Sequence, residues 1–185
     1  MVIKRLCYPV RTLGPGNRAG IWTVGCPRRC LGCLSPELQR RENGRDIPEE
    51  QILRAVERIK GRVDGVTISG GEPFEQPEAL RRLTALLRER VTEDILVFTG
   101  YTLEQLRAMH SEAIEDTLAQ IAVLVDGPYV EALNDGVGLR GSANQRIHVF
   151  RFAERYAGAE RQPRALQSVG YGDQILMIGI PPSTP

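Results

Sequence analysis

The stretch CPRRCLGC, residues 26–33, places three of the chain's four cysteines at Cys26, Cys30 and Cys33, in the spacing C-x3-C-x2-C. It follows GIWTV (20–24), a β-branched and aromatic run that reads as a strand leading straight into the cysteine loop. Zinc sites usually join a close cysteine pair to a second, distant pair. Only His110, His148 and Cys7 are left to complete such a set. A disulfide reading leaves one cysteine over and suits an oxidising compartment. Iron–sulfur clusters are held by thiolates on short, tight loops. Three thiolates on a four-iron cube leave one iron without a protein ligand, a place for a small molecule. Pro27 restricts the turn, and Gly32 offers no side chain to block close approach. Arg28 and Arg29 add positive charge beside the thiolates, or are simply a solvated loop.

Outward from the loop, short apolar runs alternate with amphipathic ones. PEEQILRAVERI (48–59) carries Ile52, Leu53, Val56 and Ile59 in a helical stripe, with Pro48 in its first turn. DGVTIS (64–69) reads as a strand stopped by Gly70-Gly71. PEALRRLTALLRER (77–90) reads as a helix with Leu80, Leu83, Leu86 and Leu87 on one face. DILVF (94–98) is a strand, TLEQLRAM (102–109) a helix capped by Thr102, and QIAVLV (120–125) a further strand ending at DGPY, after which a short helix can follow. RGSANQRIHVF reads as a loop entering a strand, DQILMIGIPP (173–182) as a late strand ended by prolines, and ERYAGAERQPRALQ (154–167) as an exposed connection. This β-α-β-α order predicts an α/β fold with a parallel sheet. In such folds chemistry gathers at the C-terminal ends of strands. GCPRRCLGC, SGGEP, TGY and DGPY all fall there, so four separate loops are expected to meet on one rim.

The 185 residues suit a single domain (1–185), with 42% hydrophobic and 25% charged residues, ordinary for a soluble globular protein. The net charge of +1 gives no reason to expect nucleic acid or an anionic membrane as partner. Lys4 and Lys60 are the only lysines; the other basic residues are arginines. No apolar run approaches the roughly 20 residues of a membrane helix, and MVIKRLCYPVRTLGPGNR lacks an apolar core of signal-peptide length, which predicts a cytoplasmic protein. GPGNRAG (14–20) has the wrong final spacing for a dinucleotide-binding glycine loop and precedes a strand rather than a helix. His110 sits on an exposed helix end and His148 alternates within a strand, so neither reads as catalytic.

Several ordered motifs together resemble a known family. GPGNRAGIWTVGCPRRCLGC (14–33), SGGEPFEQ (69–76), FTGYTLEQL (98–106), VDGPY (125–129) and RGSANQR (140–146) resemble the radical S-adenosylmethionine (SAM) enzymes. The likeness is closest to the activating enzymes of anaerobic ribonucleotide reductases and other small glycyl-radical activases. It spans about residues 7 to 150, and MIGIPP (177–182) is also similar to the ends of some members; 151–185 is a C-terminal extension of open role. The resemblance implies a partial, laterally open (β/α)6 barrel. It implies that Cys26, Cys30 and Cys33 hold a [4Fe-4S] cluster whose open iron takes the amino and carboxylate groups of SAM. It implies that Gly70, Gly71, Glu72 and Pro73 hold the methionine amino group, and that Gly32, Cys33 and Leu34 pass near the adenine. Leu34 and Ser35 stand where members commonly have an aromatic residue and an asparagine. Thr99 and Asp126 are placed near SAM, and Tyr101 either lines the pocket or packs. The implied activity is reductive cleavage of SAM to a 5′-deoxyadenosyl radical that installs a glycyl radical on a large partner, with an electron donor such as flavodoxin or ferredoxin. Two alternatives stay open: a radical SAM enzyme acting on a small metabolite or peptide, as deazaguanine-forming members do, and a non-catalytic iron–sulfur module in which Cys7 closes the cluster.

Overall fold

The computed structural model describes residues 1–171 and 173–182, so 172 and 183–185 of the expected extension lie outside the described residues. Seven strands form one sheet: β1 (Val2–Val10), β2 (Arg18–Thr23), β3 (Arg45–Asp46), β4 (Gly65–Gly70), β5 (Ile95–Phe98), β6 (Val123–Asp126) and β7 (Arg146–Val149), in the order β3-β1-β2-β4-β5-β6-β7. The four central strands β2, β4, β5 and β6 run parallel; β1, β3 and β7 pair antiparallel at the two edges. The all-parallel expectation therefore holds for the centre and fails at the edges, where the connections loop back without a crossover helix.

Between the parallel strands lie α1 (Glu49–Glu57), α2 (Pro77–Arg90), α3 (Leu103–Ala108) and α4 (Glu112–Gln120). Successive parallel strands are nearest neighbours in the sheet, with no reversal of order. Crossovers of one hand then put the helices on one face. Side-chain alternation agrees. Val66, Ile68, Ile95, Val97 and Leu124 pack against Ile52, Leu53, Val56, Leu80, Leu83, Leu87, Ile114 and Leu118 of the helices. Each fully buried leucine of this layer contributes on the order of 2 kcal/mol. Leu96, Val123 and Val125 face the other way, towards Leu139, Tyr156 and Ala159, and Trp22 packs with Val10, Leu38, Ile178 and Ile180. One side of the sheet is thus closed by helices, and the other is left to loops and the C-terminal segment.

That segment is not simply an exposed connection. Tyr156 is buried, Val137 bridges Pro163, and β8 (Leu166–Tyr171) pairs antiparallel with β9 (Gln174–Gly179) as a hairpin. The hairpin is fastened to the end of β1. Arg11 N donates to Gln167 Oε1 at 2.9 Å, Gln167 Nε2 to Pro9 O at 2.6 Å, and Thr12 Oγ1 to Ile178 O at 3.0 Å.

At the N-terminal ends of the parallel strands sits a buried ion-pair network. Arg18, wholly enclosed, donates through Nη2 to Val66 O at 2.8 Å and to Asp94 Oδ1 at 3.0 Å, and through Nε to Thr67 Oγ1 at 2.7 Å. The Tyr156 hydroxyl donates to Asp94 Oδ1, and Arg155 Nε lies 3.2 Å from Asp94 Oδ2. The arginine of GPGNR thus locks the bottom of the sheet. Among the described residues no helix is long and apolar enough to cross a membrane.

Candidate functional site

Strand register brings the C-terminal ends level. Thr23 faces Gly70, Ile68 faces Val97, and Phe98 faces Val125. The next residues of each strand are stitched together through the backbone. Gly71 N donates to Thr23 O at 2.9 Å, Glu72 N to Gly25 O at 2.8 Å, Thr99 N to Val125 O at 2.9 Å, and Gly127 N to Tyr101 O at 2.8 Å. The four polar loops therefore do meet on one rim. They surround a cavity of about 380 Å³ lined by Cys26, Cys30, Cys33, Leu34, Gly70, Gly71, Glu72 and Thr99, over an apolar floor of Leu13, Trp22 and Phe98.

The cysteine loop is pinned at its start, where Gly25 N donates to Leu38 O at 2.9 Å and Cys26 N to Gln39 O at 3.0 Å, and turns within itself through Cys33 N to Cys30 O at 3.3 Å. Gly32 takes φ +68° and rests against the Glu131 carboxylate, where an added Cβ would stand 2.5 Å away. Burial pushes the Cys26 thiol up from its usual range. Among the described residues no three His, Cys, Asp or Glu side chains are drawn into a closed metal site. The three thiols instead share one cavity wall on a loop bounded by glycines, a donor set whose softness and count suit an iron–sulfur cluster. Cys7 is 4% exposed, packed with Val2, Val10 and Trp22, and is not part of the cavity wall.

Glu72 is almost fully enclosed. Its Oε1 accepts from Thr99 Oγ1 at 2.8 Å and from Phe74 N at 3.1 Å, and its Oε2 from Gly100 N at 2.7 Å. Burial outweighs these bonds and pushes the carboxyl up to about 7. Gly70 and Gly71 have a structural reason of their own. Gly70 has φ +119°, a Cβ there would stand 2.3 Å from Thr23 O, and one at Gly71 would stand 2.5 Å from Gly25 O. They let the end of β4 lie against the cysteine-loop backbone. Pro73 opens a short 3-10 turn beneath Glu72.

Asp126 ends β6, one residue before Gly127 of the cavity rim. Its carboxylate is fully buried and does not join the cavity wall. Leu103 N donates to Oδ2 at 2.7 Å, Arg146 Nε to Oδ1 at 3.1 Å, and His148 Nε2 lies 3.0 Å from Oδ2. Burial raises its pKa, and the Arg146 guanidinium with the other donors overcomes this, holding the carboxyl below its usual range. The sequence shows a carboxylate at a strand end; it does not show β7 returning antiparallel with its cation. Tyr101 likewise packs: its hydroxyl donates to Glu75 Oε1 at 2.6 Å, and burial together with Glu75 pushes its pKa up to about 12.

NQR (144–146), without an assignable role in the sequence, acts as a clasp. Arg146 holds Asp126, Gln145 Nε2 donates to Gly127 O at 2.8 Å, and Asn144 Nδ2 donates to Pro128 O at 2.8 Å. Gln145 Oε1 also accepts from Gly141 N at 2.7 Å, and both Gln145 and Gly141 line the cavity with Tyr129. Three consecutive side chains thus fix three consecutive residues of the opposite loop. The hairpin adds a last wall through Leu166 and Met177–Pro181.

A mixed α/β fold carrying a three-cysteine loop beside a buried carboxylate at its strand ends has the donor set of an iron–sulfur protein. The chain belongs to the family described as "4Fe-4S single cluster domain", which matches residues 12–148. It is similar to the anaerobic ribonucleoside-triphosphate reductase-activating protein of Escherichia coli K12, 33% identical over 152 residues that cover 78% of this chain and 96% of that protein. The protein of the same name from Vibrio cholerae is 34% identical over 154 residues, covering 77% and 95%. That of Enterobacteria phage T4 is 28% identical over 138 residues, covering 72% and 85%.

Proposed function

We propose that the chain is a radical SAM activase that installs a glycyl radical on an anaerobic ribonucleotide reductase. The observation that carries this is the meeting, in one cavity, of the Cys26–Cys30–Cys33 loop with the Glu72 carboxylate. The names of its relatives, activators of such a reductase, support the partner. The one-way order of the four parallel strands, with helices on one face, supports a partial, laterally open barrel with fewer β/α units than the six the resemblance implies. We place the protein in the cytoplasm with flavodoxin or ferredoxin as its electron donor.

Cys26, Cys30 and Cys33 would hold the [4Fe-4S] cluster. With SAM bound, that cluster supplies the electron for reductive cleavage to methionine and a 5′-deoxyadenosyl radical. The chain's own residues bind, orient and exclude water. Glu72, with an acid constant near neutrality, is matched to an ammonium group: a nearby cation favours its charged form. Thr99 and the Gly100 N–H fix which way each Glu72 oxygen points. Gly70 and Gly71 keep that carboxylate one backbone width from the cysteine loop. Leu34, beside Cys33, offers apolar area for the adenine, and Leu13, Trp22 and Phe98 keep the floor dry. Asp126 acts one step back, holding the start of α3 and the clasp that shapes the far wall.

The test is electron paramagnetic resonance of the anaerobically reconstituted, reduced chain with and without SAM. A [4Fe-4S] signal that changes on adding SAM is expected, followed by a glycyl-radical signal on the reductase when it is added. A cluster signal indifferent to SAM sinks the proposal. A second reading, action on a small metabolite or peptide, is favoured by the hairpin wall at the cavity. SAM cleavage stimulated by a small molecule with no partner protein present would select it.

A further inference from the structure

The two arginines inside the cysteine spacing have different surroundings. Arg29 is exposed, at φ +45°. Arg28 is folded back across the rim. Its guanidinium carbon lies 4.2 Å from the centre of the Tyr101 ring, and Nη2 donates to Gln105 Oε1 at 3.1 Å. Its stem runs over Gly100, where an added Cβ would stand 2.4 Å from Arg28 Cδ. Its Nε is enclosed and has no hydrogen-bond partner among the described residues. The groups that receive it are themselves fixed. Gln105 Oε1 also accepts from Thr102 N at 3.0 Å in the capping box of α3, and the Tyr101 hydroxyl is tied to Glu75. Arg28 lines the same cavity as the three thiols and Glu72.

We infer that Arg28 is a positioning residue: it clamps the stretch between Cys26 and Cys30 to the end of β5 and the start of α3, and its fixed charge on the wall of the cavity it shares with the thiols sets the potential at which the cluster takes its electron. The inference rests on the cluster reading above. Arginine suits the place better than lysine. Its planar group stacks on a ring and donates at its edge at the same time. A permanent cation beside an anionic cluster favours the reduced state, since cluster potentials follow local charge. Gly100 is the counterpart, because only a residue without a side chain leaves room for the arginine stem.

The experiment uses the full chain, reconstituted without oxygen, as wild type, Arg28→Ala, Arg28→Lys and Gly100→Ala. Two quantities are read: the rate of cluster loss to a chelator, and the midpoint potential from a redox titration followed by electron paramagnetic resonance. Arg28→Ala is expected to lose its cluster about tenfold faster, as outer-shell changes do in metal sites, with a more negative potential. Arg28→Lys keeps most of the potential and loses the cluster faster than wild type. Gly100→Ala leaves the charge count unchanged and displaces the arginine stem, so both quantities move towards those of Arg28→Ala. A cluster-loaded wild type matched in both by Arg28→Ala overturns this inference alone. Faster loss at unchanged potential overturns it too, leaving Arg28 a strut. A wild-type chain that takes up no cluster overturns the cluster reading and this inference with it.

Discussion

Asp94 and Glu72 are buried carboxylates at opposite ends of the parallel strands, and the two are held in opposite ways. Asp94, at the N-terminal end, faces Arg18, Arg155 and the Tyr156 hydroxyl. Glu72, at the C-terminal end, is as deeply buried but has no ion pair among the described residues. Two backbone N–H groups and a threonine hydroxyl are what it has. A carboxylate whose charge is already matched has nothing left to offer a ligand and serves the fold. One that is hydrogen-bonded but unmatched costs stability when it ionises, and keeps its capacity for a cationic group.

Substitutions at each end can break or sharpen that contrast. The largest effect is at the top. Cys26→Ala, Cys30→Ala or Cys33→Ala should abolish the cluster by iron and sulfide analysis while leaving the thermal unfolding of the metal-free chain close to wild type. Cys7→Ala should keep the cluster; its loss there would revive a closed four-thiolate site. Asp94→Ala comes next. It strands a fully buried arginine and should cost about 3–5 kcal/mol in urea unfolding. A cost below about 1 kcal/mol would remove the distinction between the two ends.

The Glu72 prediction is one of slope. Its carboxyl is raised from 4.5 to about 7 in the folded chain. A raised group contributes stability that is fully present below the unfolded value and lost as pH rises through the folded one. Metal-free wild type should therefore lose up to about 3 kcal/mol, relative to Glu72→Gln, between pH 4.5 and pH 8. Parallel pH profiles for the two proteins would show that the top carboxylate does not carry the titration. The smallest effect belongs to the clasp. Asn144→Ala removes one exposed hydrogen bond to Pro128 O and should cost about 0.5 kcal/mol. Gln145→Ala, which frees three backbone groups beside the cavity, should cost more than Asn144→Ala in the same assay.

Where local chemistry decides an element, the sequence was legible. Pro77–Arg90 is read to its end residues because its proline start and leucine stripe are both local signals. Thr102 caps α3 as expected, with Gln105 closing the capping box. Helix α4 is absent from the elements the sequence pattern predicts. Ser111 and two early glutamates announce it, and Ala113, Ile114, Thr117 and Leu118 form its buried stripe, but the apolar run that follows drew residue 120 into a strand that begins at Val123. Strand β1 is hidden by Lys4, Arg5 and Pro9, which spoil the alternation; they are tolerated because β3 pairs only with Val2 and Ile3, leaving the rest of β1 without an outer neighbour. At the site, the cysteine spacing and the GGEP turn are contiguous in the chain and could be read directly. Asp126 and NQR could not. Their partners lie 16 to 20 residues away and meet only when β7 returns beside β6.

The hairpin wall has a consequence in time. The chain is made from its N-terminus, so the cysteine loop leaves the ribosome long before Met177–Pro181 can pack beneath Trp22 and Val10. Until β9 has been made, the cavity beside the loop lacks that wall; β9 and the residues just after it complete it. A chain released early would keep every cysteine and the GGEP turn while lacking the wall that narrows the way in.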